Sequence, residues 1–98
     1  MIFKNIETYT TIALSCNHMQ LSDSHLLDNI SMEELAPVAK RSTGYFLKIM
    51  SLQVNESPYA NFSPALANII QLCLERGIEC IEFDCDAQEV DKLPVFSW

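Results

Sequence analysis

Ninety-eight residues, 49% of them hydrophobic, suffice for one domain with a modest core, and the chain reads as a single domain over residues 1–98. A net charge of −7, with thirteen acids against six Lys and Arg, argues against direct binding to nucleic acid or to an anionic membrane surface, both of which rely on clustered cations. No apolar run approaches the roughly 20 residues that span a bilayer and residues 1–5 lack the regions of a signal peptide, so the expected location is cytoplasmic and the four cysteines are expected as thiols.

Thr8 to Ser15 has a strand composition, with Ile12 and Leu14 on one face and Thr11 and Ala13 on the other; residues 2–6 extend it or form a separate edge. After Asn17, Ser22 is a candidate cap for a short helix that buries Leu26, Leu27 and Ile30. Ser31-Met32-Glu33-Glu34 fits a capping box, Ser31 with Glu34, and predicts a second short helix that Pro37 limits. Gly44 ends this region, and Tyr45 to Met50 reads as a central strand with Tyr45, Leu47 and Ile49 on one side and Lys48 on the other. Residues 51–62, with Ser57-Pro58, form the connecting loop.

Ser63 as N-cap and Pro64 at the first helical position start the most clearly bounded element. Leu66, Ile69, Ile70, Cys73 and Leu74 recur at helical spacing, Asn68, Gln71 and Glu75 form a narrow polar stripe, and most of the circumference is expected to be covered. Gly77 supplies the left-handed stop, with Ile78 closing back on Cys73. From Glu79 the period becomes two: Ile81, Phe83 and Cys85 face the core, and Cys80, Glu82, Asp84 and Asp86 face away. The tail Leu93-Pro94-Val95-Phe96-Ser97-Trp98 is expected to fold back onto the core rather than leave its rings bare.

This order predicts an α/β or α+β two-layer sandwich: a small mixed sheet of three to four strands with one long helix and one or two short ones. A right-handed crossover between parallel strands is expected from Tyr45 to Cys85, with an antiparallel arrangement left open.

Three constellations could carry chemistry. Cys16 and His18, at a strand end, could be a nucleophile and its base, but neither an oxyanion-hole motif nor an orienting acid accompanies them, and a structural role is preferred. Cys16, His18, Cys80 and Cys85, with His25 in reserve, are zinc-ligand types without knuckle spacing. Asp84 and Asp86 offer two carboxylates on one strand face for Mg2+ or Ca2+, against the plainer reading of a solvated acidic edge. With Gly44 and Gly77 as the only glycines, phosphate-loop and dinucleotide motifs are excluded.

Ser15 to His18, Gly44-Tyr45-Phe46, Phe62-Ser63 before an apolar helix, Phe83-Asp84-Cys85-Asp86 and the Leu-Pro-Val-Phe-Ser-Trp tail together resemble a family of small uncharacterised bacterial proteins carried on plasmids, prophages and integrative elements, a domain of unknown function. The likeness covers most of the chain and is strongest in its C-terminal part. Ala87 stands where the family carries glycine, which argues against a tight turn there. The resemblance implies a mobile-element setting and no particular activity.

The charge is the remaining clue. Residues 75–91 hold seven acids against Arg76 alone. The expected function is a non-enzymatic interaction protein of a phage or mobile element that inhibits a host nucleic-acid-handling complex in the manner of an anti-CRISPR, meeting the basic surface of a host protein or ribonucleoprotein with Glu79, Glu82, Asp84, Asp86, Glu89 and Asp91. No cofactor and no metal is expected. The alternatives are a small metal-binding or Cys/His enzyme centred on Cys16, His18 and Asp84, and an antitoxin-like or structural partner that forms a homodimer through the apolar helix.

Overall fold

In the computed structural model, residues 4–33, 36–52, 56 and 59–98 are described. Four strands, β1 (Thr11–Ser15), β2 (Val38–Arg41), β3 (Gly44–Leu47) and β4 (Cys80–Asp84), form one mixed sheet in the order β1-β4-β3-β2. Two helices, α1 (Leu21–Ser31) and α2 (Pro64–Glu75), complete an α+β two-layer sandwich.

Strand alternation decides which face the helices cover. Leu14, Ile81, Phe83, Tyr45, Leu47 and Val38 share the inner face and join Leu27, Ile30, Leu66, Ile69 and Ile70 of the helices in one core. The outer face carries Thr11, Ala13, Glu82, Phe46, Ala39 and Arg41, none of them buried, together with Cys80 and Ser15, which are buried at its two ends. Cys80 thus lies on the face expected for it but is covered, and the central part of that face is the side left open, as a small mixed sheet permits.

The pairing differs from the expected crossover. β3 runs antiparallel to β4, with Tyr45 opposite Phe83, and the parallel pair is β1 with β4, Thr11 opposite Cys80 through Ser15 opposite Asp84. The strand before α2 is therefore not the parallel partner of the strand after it. β2 is a strand that the sequence did not lead us to expect: Ser31 is the last residue of α1 rather than the cap of a second helix, and Val38 to Arg41 pairs with β3 across the two-residue turn Ser42-Thr43. Glu34 of the expected capping box, Ser57-Pro58 and residues 2–3 lie outside the described residues; residues 4–6, expected with 2–3 to extend the first strand or form an edge, are turn and coil, and β1 begins only at Thr11. β3 stops at Leu47, and Ile49–Ser51 continues as a 3-10 turn that still buries Ile49.

α2 begins and ends as its sequence dictates. The Ser63 hydroxyl accepts the Leu66 N–H at 3.2 Å and Pro64 follows. Gly77, at φ 75°, closes a Schellman motif in which the Ile78 N–H donates to Cys73 O at 2.9 Å and the Gly77 N–H to Leu74 O at 3.1 Å. Leu66, Ile69, Ile70 and Cys73 are buried, but Leu72 and Leu74 are each 38% exposed, so the helix is covered on one side rather than around most of its circumference. A groove of about 370 Å3 remains beside it, lined by Ile12, Ile69, Leu72 and Val90 among others, with Arg76 and Lys92 in its wall. α1 starts one residue before Ser22, at Leu21, because the Asp23 carboxylate accepts the Gln20 N–H at 3.0 Å. Its Leu27 and Ile30 are buried and Leu26 is packed at the core margin.

Candidate functional site

The parallel register of β1 and β4 brings the ends of both strands to the same edge of the molecule. Ser15 lies opposite Asp84, and the next residue of each chain is a cysteine. Cys16 is buried and its thiol points at Thr43 O, 3.7 Å away; Cys85 is exposed and donates to the Cys16 sulfur at 3.0 Å. Burial, reinforced by the adjoining Cys85 sulfur, pushes the Cys16 thiol up to about 12, which leaves it protonated at neutral pH. Cys85 was expected on the core face of a longer strand. β4 instead ends at Asp84, and Cys85 begins a turn in which Ala87 N–H donates to Asp84 O at 3.0 Å and Asp86 N–H to Asp84 Oδ1 at 2.8 Å. A tight turn thus forms with Ala87 in place of glycine, held by the Asp84 side chain.

Gly44 makes this corner possible. A Cβ at that position would lie 1.9 Å from Phe83 O and 3.1 Å from the Cys16 sulfur, so β3 approaches β4 more closely there than any side chain permits.

Cys16 and His18 do not share an extended face, because Cys16–His18 is a 3-10 turn capped by the Ser15 hydroxyl. Both His18 nitrogens are occupied: Val90 N–H donates to Nε2 at 2.9 Å, which fixes the proton on Nδ1, and Nδ1 donates to Pro94 O at 2.8 Å. Neighbouring groups complete a clasp on the tail. Asn17 O accepts the Phe96 N–H at 2.8 Å, and Met19 O accepts the Trp98 indole N–H at 3.0 Å. The tail does fold back: Leu93 packs at the core margin and Phe96 is half-buried, while Trp98 stays 53% exposed and is held by its indole hydrogen bond.

The six acids divide by environment. Glu79 is half-buried and accepts the Thr10 N–H at 3.0 Å, pinning the start of β4 to the approach of β1. Glu82 and Asp84 share the outer face of β4, where Glu82 meets Arg41 Nε at 3.4 Å and Arg41 lies over the Phe46 ring. Glu89 is exposed and accepts from Asn17 at 2.9 Å. Asp86 and Asp91 are exposed in turns, and their carboxylates have no hydrogen-bond or ion-pair partner among the described residues. Only Glu82 and Asp84 therefore sit on a strand face. β4 is an inner strand, so these carboxylates do not guard a sheet edge. The Cys16–Cys85 contact and the Arg41–Glu82 pair were not foreseen from the sequence, because both depend on strand order; the signal within reach was a cysteine directly after the last paired residue of each of two strands.

Among the described residues no three His, Cys, Asp or Glu side chains group as a metal site, and no helix is long and apolar enough to cross a membrane. No curated protein and no solved structure matches the chain. A family profile described as the C-terminal domain of a family of unknown function (DUF5983) matches residues 11–98, which takes in all four strands, both helices, the cysteine corner and the acidic turn, and the chain belongs to that family.

Proposed function

We propose that the protein is a cytoplasmic, non-enzymatic interaction module that recognises a basic partner surface with the acidic stretch that leaves β4. The observation that carries this reading is the exposure of Asp86 and Asp91 within a segment, residues 79–91, that holds six carboxylates and no Lys or Arg. Exposed carboxylates without partners among the described residues stand open to an incoming guanidinium or ammonium group, where charge-assisted bonds and electrostatic steering act together. Glu89, Asp84, Glu82 and Glu79 are partly engaged within the fold and supply the surrounding negative field.

The more specific reading is of a phage or mobile-element inhibitor that occupies an Arg/Lys channel of a host nucleic-acid-handling complex, as an anti-CRISPR protein would. The resemblance to mobile-element proteins and the localised charge support it. The occupied nitrogens of His18 and the raised Cys16 thiol speak against the Cys/His enzyme.

The test is affinity capture from bacterial lysate at low and high ionic strength with the wild type, the pair Asp86→Lys/Asp91→Lys, and the pair Glu33→Lys/Glu56→Lys. The last makes the same charge change at exposed acids elsewhere. Loss of a salt-sensitive partner in the first pair alone supports the reading; equal capture by all three refutes it. A second reading, a homodimer through α2, is favoured by the exposed Leu72 and Leu74 beside the apolar groove, and a monomeric mass by light scattering rejects it.

A further inference from the structure

The geometry points to Cys16 and Cys85 as a dithiol site that glutathione disulfide converts to an intramolecular disulfide. The two cysteines follow paired residues of adjacent parallel strands. Such strands lie about 4.8 Å apart, within the roughly 4.4–6.8 Å that separates the Cα atoms of disulfide partners. Their sulfurs are 3.0 Å apart, so an S–S bond of about 2.05 Å needs an approach of about 1 Å. The backbone on either side is already fixed, by Cys85 N–H to Thr43 O at 2.8 Å and by Met19 N–H to Cys16 O at 3.1 Å.

Access is one-sided. Cys85 is exposed and Cys16 is buried behind it. A cleft of about 170 Å3 opens over both sulfurs, walled by Arg41, Thr43, Gly44 and Trp98. Arg41, paired with Glu82, and Lys40, paired with Asp28, stand in the wall of this cleft, while Asp84 and Asp86 flank Cys85, so an anionic disulfide meets both signs of charge as it approaches.

The exchange runs in two steps. The Cys85 thiolate attacks one sulfur of glutathione disulfide, breaks its S–S bond and releases one glutathione thiolate, leaving a mixed disulfide. Cys16 then loses its proton to solvent, and its thiolate attacks the Cys85 sulfur and expels the second glutathione thiolate. Two protein thiols are oxidised, one glutathione disulfide is reduced, and the two protons end on the two glutathione thiols. Because Cys16 is held protonated, the second step limits the rate and quickens as the pH rises. Cys73 and Cys80 are both buried and remain thiols. The bond would tie the turn that carries Asp84 and Asp86 to the 3-10 turn that clasps the tail, and it stands whether or not the acidic stretch binds a partner.

The test uses the full chain, reduced, freed of reductant and incubated with glutathione disulfide at neutral and mildly alkaline pH. Intact mass should fall by two hydrogens, titratable thiols after denaturation should fall from four to two, and peptide mapping should join Cys16 to Cys85, faster at the higher pH. Cys16→Ser should stop at the glutathione adduct on Cys85, and Cys85→Ser should keep its remaining thiols. A wild-type protein that keeps all its thiols, stops at the adduct, pairs other cysteines or links two molecules through Cys85 overturns the inference, and these readouts do not depend on the variants folding.

Discussion

The buried carboxylate of Asp23 accepts both the backbone N–H and the hydroxyl of Ser63, at 2.7 and 2.6 Å, and so fastens the first turn of α1 to the first turn of α2. The same carboxylate accepts the Gln20 N–H, which places one negative charge at two helix N-termini, where the macrodipoles favour it. Asp23→Ala leaves three donors without their acceptor, and the expected loss is roughly 2–4 kcal/mol. Ser63→Ala removes a cap and should cost about 1–2 kcal/mol. The two effects should be strongly non-additive in a double-mutant cycle read by urea unfolding, since both act on one network; additive losses would separate the residues.

Gly44→Ala drives a Cβ into a backbone carbonyl, whereas Gly77→Ala meets nothing within 4 Å and strains only a φ of 75°. The former should cost about 2–4 kcal/mol and disturb the β3–β4 ladder. The latter should cost about 1–2 kcal/mol. Equal costs would mean that β3 can withdraw from β4 without penalty.

These two cases show what was legible in the chain and what was not. The caps of α2 lie within a few residues of the helix they bound, so Ser63, Pro64 and Gly77 could be read directly. Asp23 and Ser63 lie 40 residues apart, and no local pattern joins them. β2 escaped because four residues, Val38-Ala39-Lys40-Arg41, are too few for a period to show, and Ser42-Thr43 is not a signalled hairpin turn. The crossover failed for the same reason: strand order is set by packing partners, which determined that β1 rather than β3 runs parallel to β4. The acidic segment was visible as composition, but its division into engaged and free carboxylates depends on Arg41, Asn17 and Thr10, all distant in the chain.

His18 should matter to the tail and not to catalysis. His18→Ala deletes the bonds to Pro94 O and Val90 N, and its expected cost is about 2 kcal/mol. Amide exchange at Val90 and Phe96 should accelerate, and Trp98 emission should shift to the red as the indole leaves Met19. Unchanged exchange at Val90 would show that the clasp does not depend on the imidazole.

The pH dependence has two limbs with opposite causes. Hydrogen bonds from Lys40 and then Tyr45 hold the Asp28 carboxyl below its ordinary value of 3.8, so this pair contributes stability above that pH and loses it as the pH falls through the lower folded value. Asp28→Asn should flatten the acid limb by a modest amount, because both side chains of the Asp28–Lys40 pair are well exposed. At the other end, the Cys16 thiol titrates near 9.0 when unfolded and about 12 when folded, so its contribution is complete below 9 and declines as the pH rises toward 12. Cys16→Ala should remove that alkaline decline; persistence of the full decline would place its origin elsewhere.

Carboxyl footprinting tests the partner-binding claim most directly. Carbodiimide labelling with an amine, applied to the free protein and to its captured complex, reports each acid separately. Asp86 and Asp91 should label readily in the free protein and be protected in the complex, while Glu33 and Glu56 label equally in both. Undiminished labelling of Asp86 and Asp91 in a complex that protects acids elsewhere would contradict the account.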